Sequence, residues 1–125
     1  MEIESIAREI VDTAICVHTR LGPGMLEGAY EACVEYELGR RSLCVKKQVP
    51  KPIRYEGLDL DIGYRLDLLV EDSVVIELKS VPKLLRVHTA QLLSYLRAGD
   101  YRLGFPLNFN SVLMRDGIKR VVNRL

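Results

Sequence analysis

Two neighbouring segments of this chain resemble the central strands of a buried sheet, yet charged residues interrupt both. Residues 64–70 have the sequence YRLDLLV, and residues 74–79 have the sequence VVIELK. Charged side chains are rarely buried unless they are paired or bind a metal. Asp67, Glu77 and Lys79 therefore constrain the fold, because the sheet must either expose them or use them in a site.

The spacing of these charges predicts their relative positions. The polar residues 71–73 separate strands predicted at 58–70 and 74–81, which favours an antiparallel hairpin. With a three-residue loop, Asp67 lies directly opposite Glu77, about 5 Å away at Cβ. Lys79 projects from the same face as Glu77 because side chains alternate along a strand.

Two opposed carboxylates destabilise a sheet, but a divalent cation between them makes the arrangement favourable. Ligation by oxygen alone suits a hard ion such as Mg²⁺ or Mn²⁺. The alternative is that Asp67 and Glu77 face solvent and that Lys79 forms an ordinary salt bridge across strands. A register shift of one residue would also remove the pairing.

The remaining pattern predicts one α/β domain over residues 1–125, with helices packed on a sheet. The predicted order is α-α-β-β-β-β-α-β-β. The helices are predicted at about 3–21, 25–40 and 84–98, and the strands at 44–49, 53–55, 58–70, 74–81, 102–109 and 111–122. Pro50 and Pro52 place the first two strands at an edge or a bend.

Composition excludes several classes of protein. A hydrophobic fraction of 48% excludes a disordered polymer, and the apolar runs are too short to span a bilayer. The first residues are acidic where a signal peptide would be basic. Cys16, Cys33 and Cys44 have neither zinc-ligand nor disulfide-framework spacing, which favours buried thiols in a reducing compartment. We therefore expect a soluble, cytoplasmic domain with no membrane partner; the net charge of +1 does not decide whether it binds nucleic acid.

Two predicted helices carry polar side chains on stripes that should face the sheet. The stripes consist of Glu27, Tyr30, Glu31 and Val34 in one helix and of His88, Gln91, Leu92 and Tyr95 in the other. Both have the i, i+3, i+4, i+7 spacing of one helix face. Alternatives are open for each: an acid stabilised by the helix N-terminus for Glu27, a structural role for His88, and polar groups at the border of the core for Gln91 and Tyr95.

Asp67 followed by residues 77–79, Glu-Leu-Lys, resembles the D…ExK signature of the PD-(D/E)XK nuclease superfamily. The chain departs from the pattern at Leu66, where a proline often precedes the aspartate. The resemblance implies a restriction-endonuclease-like fold, a mixed sheet flanked by helices.

Two further motifs resemble narrower groups in that superfamily. Gln91 and Tyr95 resemble the QxxxY motif of RecB-like members. Gly24, Glu27 and Tyr30 match the pattern that names the small GxxExxY family. Together the motifs cover most of the chain, roughly residues 22–109.

The resemblance implies a metal-dependent nuclease that hydrolyses phosphodiester bonds, with DNA a more natural substrate than RNA. It implies Mg²⁺, or alternatively Mn²⁺, held by Asp67, Glu77, the backbone carbonyl of Leu78, and Glu27. Lys79 would position or activate the attacking water and stabilise the developing charge. Gln91 and Tyr95 would orient the lysine or contact the scissile strand.

Two other classes of function are compatible with the sequence. The chain could retain a nuclease fold and bind nucleic acid without cleaving it, or it could be a structural or protein-interaction domain with solvent-facing acids. Candidate phosphate contacts, each also explicable as a solvated face, are Lys46, Lys47, Lys51, Arg54, Lys83, Arg86, Arg115, Lys119, Arg120 and Arg124. A homodimer contact is possible through Ile118, Val121, Val122 and Leu125, which could equally complete the protein's own sheet.

Overall fold

A computed structural model describes residues 1–124 of the chain. The helices and strands are α1 (Ile3–Leu21), α2 (Glu27–Arg40), β1 (Val45–Tyr55), β2 (Leu58–Val70), β3 (Val74–Lys79), α3 (Arg86–Gly99), β4 (Leu103–Asn108) and β5 (Val121–Val122). The five strands form one sheet in chain order. The strands β3 and β4 are parallel because α3 connects them, and the other neighbours are antiparallel. The predicted mixed sheet flanked by helices is confirmed.

Different helices cover the two faces of the sheet. Val70 and Ile76 belong to the larger core, which α1 and α2 cover. Leu69 and Val75 belong to a smaller core that contains Leu92 of α3. The alternation of these strand residues divides the domain into two apolar layers. Within residues 1–124, no helix has the length and apolar character needed to span a membrane.

The structure contains one strand fewer than predicted before β3. The predicted strands 44–49 and 53–55 form a single strand, β1. Its pairing with β2 is irregular: between the pairs Lys51–Tyr64 and Ile53–Leu60, one residue of β1 faces three residues of β2. That residue is Pro52, which has no N–H to donate to the ladder. The proline therefore bends the strand without ending it.

The predicted strand at 111–122 was wrong for most of its length. The chain forms a 3₁₀ helix at Met114–Gly117 and only the short strand β5. Met114 reaches the core from this helix, and Ile118 forms an isolated bridge with Leu107. The apolar residues are thus buried without the regular alternation of a strand.

The predicted dimer residues are divided between several environments. Val121 is buried and Ile118 is half-buried within the protein's own sheet and core, whereas Val122 is 40% exposed. Leu125 lies outside the described residues. The homodimer stays a prediction.

The prediction of buried thiols was wrong. All three cysteines are free; Cys16 and Cys33 are half-buried, and Cys44 is exposed. Cys44 lies immediately before β1, at the surface, where its N–H donates a hydrogen bond to the Glu71 carboxylate.

Tyr30 fixes the loop between α1 and α2. Its side chain is fully buried and stacks on Phe109, with ring centroids 4.4 Å apart. Its hydroxyl donates to the Gly22 carbonyl oxygen at 2.5 Å and accepts from the Met25 N–H at 3.0 Å. The ring therefore anchors the backbone that leads into the first turn of α2.

We expect Tyr30→Phe to lower the free energy of unfolding by about 1 kcal/mol, because the partly buried Gly22 carbonyl and the Met25 N–H lose their partner while the ring stack remains. Urea denaturation measures this change. Tyr36→Phe is the control, because Tyr36 is on the same helix and is 65% exposed. Equal losses in the two variants would contradict the anchoring role.

Candidate active site

An open cleft of about 740 Å³ lies between the β1–β2 hairpin and α3. All predicted site residues line it: Glu27, Asp67, Glu77, Leu78, Lys79, Gln91 and Tyr95. They come from α2, two neighbouring strands and α3, so the fold gathers in one place residues that span 69 positions of the chain.

The hairpin of β2 and β3 has the predicted register over residues 68–70 and 74–76. The regular ladder ends there, one pair before Asp67 and Glu77. The Leu78 N–H donates a 2.8 Å hydrogen bond to Oδ2 of Asp67. The aspartate thus occupies the place of a backbone acceptor at the point where the two strands separate.

The side chains of β2 change from one face of the sheet to the other at Asp67. Leu66 packs in the core beneath α3 and Leu68 in the opposite core, although residues two apart normally share a face. Across from Asp67, Gln48 has a left-handed backbone with φ of +51°. The Gln48 side-chain amide donates to both carboxylate oxygens of Glu31, at 2.9 and 3.1 Å. Regular alternation of side chains along β1 does not predict this contact between β1 and α2.

Glu77 is a buried carboxyl group with an unsatisfied oxygen. Its side chain is 7% exposed, and its Oε1 has no hydrogen-bond partner. Burial, followed by the negative charge of Asp67, raises the pKa of Glu77 to about 9, against a smaller opposing effect of Lys79. Without a cation, this carboxyl group is therefore neutral at pH 7.

The donor set fits a hard divalent cation. Asp67 and the unpartnered oxygen of Glu77 supply two oxygen donors whose mutual repulsion a cation would relieve. Within the part of the chain that the structure describes, no three His, Cys, Asp or Glu side chains cluster closely enough to hold a metal ion. Glu27 accordingly lines the cleft from the first turn of α2 without joining Asp67 and Glu77 in a three-residue cluster.

The residues of the polar stripe predicted on α3 have two different environments. Gln91 and Tyr95 line the cleft. Burial, followed by the charges of Glu77 and Asp67, raises the pKa of Tyr95. The His88 ring turns to the start of the helix, where its Nδ1 accepts a 2.9 Å hydrogen bond from the Leu85 N–H. His88 therefore has a structural role, which was the alternative prediction for this residue.

The cleft also contains two further cations, Lys51, which is one of the predicted phosphate contacts, and Arg65, which the sequence patterns did not single out. Arg65, two residues before Asp67, and Lys51, from the irregular part of β1, line it together with Lys79. Several predicted phosphate-contact residues instead form surface ion pairs: Lys46 with Asp72, Lys47 with Glu35, Arg54 with Asp59, Arg120 with Glu4, and Arg124 with Asp100. The cleft cations are consequently the more direct candidates for phosphate contact.

Comparisons with known proteins agree on the fold. A solved structure described as "Crystal structure of SSO0001" matches 98% of this chain with a TM-score of 0.59 at 19% sequence identity. This chain spans 60% of the length of that one. No curated protein matches the chain. The family model of the PD-(D/E)XK nuclease superfamily matches residues 4–121, which include every residue of the cleft. The chain belongs to the PD-(D/E)XK nuclease superfamily.

Proposed function

We propose that this protein is a divalent-metal-dependent nuclease that hydrolyses phosphodiester bonds of DNA in the cleft between the β1–β2 hairpin and α3. The observation that carries the proposal is the unpartnered, buried Oε1 of Glu77 beside Asp67, with Lys79 in the same cleft. A buried oxygen without a hydrogen-bond partner destabilises an apolar core, whereas in a cation-binding site it can serve as a ligand.

Asp67, Glu77 and the carbonyl of Leu78 would hold Mg²⁺, with Mn²⁺ as an alternative. When bound, the cation supplies a nucleophilic water near neutral pH and stabilises negative charge at phosphorus. Glu27, across the cleft, orients the hydration of this site and is not itself one of the closely clustered acids.

The remaining residues act on the phosphate and on the water. Lys79 donates hydrogen bonds to a non-bridging phosphate oxygen and stabilises the charge that develops as water adds to phosphorus. Gln91 and Tyr95 hold the lysine and the scissile strand in position from α3. Arg65 and Lys51 neutralise neighbouring phosphates along the hairpin.

We also propose that the chain belongs to the GxxExxY family within this superfamily. Gly24 has φ of +92°, which suits glycine, and Tyr30 holds the loop that precedes Glu27. We infer that the glycine and tyrosine of this pattern position the glutamate at the edge of the cleft.

A cleavage assay with labelled DNA and RNA oligonucleotides, single- and double-stranded, tests the proposal. We expect cleavage in Mg²⁺ or Mn²⁺, none in EDTA, and a loss of at least about 100-fold in Asp67→Asn. Calorimetry should detect saturable metal binding that the variant lacks. Metal-dependent cleavage that is equal in the wild type and in Asp67→Asn would place the activity elsewhere.

One observation favours a second candidate, a nuclease-like module that binds nucleic acid without cleaving it. Among residues 1–124, the acidic side chains at the site do not form a cluster of three. Salt-sensitive oligonucleotide binding in EDTA, with no cleavage in any metal, would support this module.

A further inference from the structure

Two tyrosine rings form a stacked pair in the wall of the cleft. Tyr64, from β2, and Tyr95, from α3, have ring centroids 4.7 Å apart and an interplanar angle of 22°. The Tyr64 hydroxyl donates to the backbone carbonyl of Tyr95 at 3.2 Å. Both rings are half-buried and both line the cleft that contains Asp67 and Glu77.

The surroundings of the pair hold it in place. Gly99, the last residue of α3, leaves room for a third ring: a Cβ at this position would lie 2.6 Å from the Tyr101 ring and 3.0 Å from the Tyr64 hydroxyl. The Lys51 ammonium group lies over the Tyr101 ring, 5.1 Å from its centroid. The aromatic surface is therefore preorganised, with a cation at its border.

We propose that the Tyr64–Tyr95 pair is a stacking platform for an unpaired nucleobase of the substrate, so that the cleft takes single-stranded nucleic acid. The inference rests on the proposed function and adds the strand class of the substrate. An unpaired base exposes a π-face that a tyrosine ring can cover, whereas a base inside a duplex is already stacked on its neighbours.

The charges around the platform suit the strand that would carry such a base. Lys51 and Arg65 line the same cleft as Tyr64 and can contact the phosphates that neighbour the stacked base. Base–aromatic stacking is independent of base identity and is worth about 1–3 kcal/mol per base, while the backbone contacts make binding salt-dependent. The platform thus predicts affinity for single strands with little sequence preference.

Binding measured by fluorescence anisotropy in EDTA tests the platform without requiring cleavage. The probes are a dye-labelled 12-nucleotide single strand, the same strand with abasic sites at its central positions, and the corresponding duplex. We expect the wild type to bind the intact strand about tenfold more tightly than the abasic strand, and more tightly than the duplex. Tyr64→Leu should abolish the difference between the intact and abasic strands, and Tyr64→Phe should retain it.

The outcomes separate this inference from the proposed function. Equal affinity for intact and abasic strands, or a preference for the duplex, overturns the platform even if metal-dependent cleavage is observed. Preference for the intact strand without cleavage in any metal supports the platform and overturns the nuclease proposal. Failure to bind all three probes in EDTA overturns the platform, whereas only the absence of cleavage in Mg²⁺ and Mn²⁺ overturns the nuclease proposal. If Tyr64→Leu does not fold, as judged by circular dichroism, the comparison of intact and abasic strands with the wild type still decides.

Discussion

Lys79→Ala should lower the rate of DNA cleavage by about 100- to 1,000-fold and change the affinity for metal and DNA by less than about threefold. A preorganised cation that acts on the developing phosphate charge contributes on this scale to the rate. It contributes far less to ground-state binding, because the proposed phosphate contacts of Lys51 and Arg65 remain in the variant. Single-turnover cleavage and anisotropy, measured on the same protein, separate the two quantities.

Lys83→Ala is the matched control for this prediction. Lys83 is an exposed lysine four residues further along the chain and is not among the residues that line the cleft. We expect its cleavage rate to stay within about twofold of the wild-type rate. If Lys79→Ala instead loses binding and cleavage in equal proportion, Lys79 is a counter-ion of the carboxylates that takes no part in the reaction.

The positions of the candidate site residues could be predicted because the relevant constraints are local. A three-residue loop fixes the register of β2 and β3, and charges within apolar strands identify the side chains that need a partner. Asp67, Glu77 and Lys79 follow from these two facts. The helical spacing of Gln91 and Tyr95 also predicted that both side chains face the sheet, because one helix face packs on one face of the sheet.

The change of face at Asp67 could not be predicted in the same way. It depends on a left-handed backbone at Gln48, a residue type without a turn preference, and on a contact with Glu31, 17 positions earlier. Regular alternation along β1 and β2 gives no sign of it. The environments of Tyr64 and Arg65 follow from this irregularity, so the positions of these two residues in the cleft were also missed.

The predicted strand at 111–122 was wrong for a different reason. Apolar residues at Met114, Ile118 and Val121 are compatible with a strand, but Gly117 packs against the backbone of Asn108, where a Cβ would lie 2.2 Å from the carbonyl oxygen. This close approach fixes a tight turn. The apolar residues reach the core from that turn, so hydrophobicity was informative about burial and uninformative about backbone geometry.

In metal-free buffer at pH 8, Glu77→Gln is expected to increase the free energy of unfolding by about 2–3 kcal/mol. The pKa of Glu77 is about 9 in the folded protein against an ordinary value of 4.5, so folding retains a proton that the unfolded chain releases. The stability that this proton contributes is complete below pH 4.5 and is lost as the pH rises toward 9. Each pH unit in that window is worth up to about 1.4 kcal/mol, and relaxation around the charged carboxylate reduces the total.

Urea denaturation at pH 4 and pH 8 measures the effect, with Asp61→Asn as the control. Asp61 lines the same cleft but is exposed, so its variant should stay within about 0.5 kcal/mol of the wild type at both pH values. The stabilisation by Glu77→Gln should nearly vanish at pH 4, where the unfolded carboxyl group is mostly protonated. Addition of 10 mM Mg²⁺ should stabilise the wild type by about 1 kcal/mol and leave the variant unchanged, because a neutral amide is a poor replacement for a carboxylate ligand. A variant less stable than the wild type at pH 8 would mean that Glu77 is ionised in the folded protein, held by a contact that the amide cannot make.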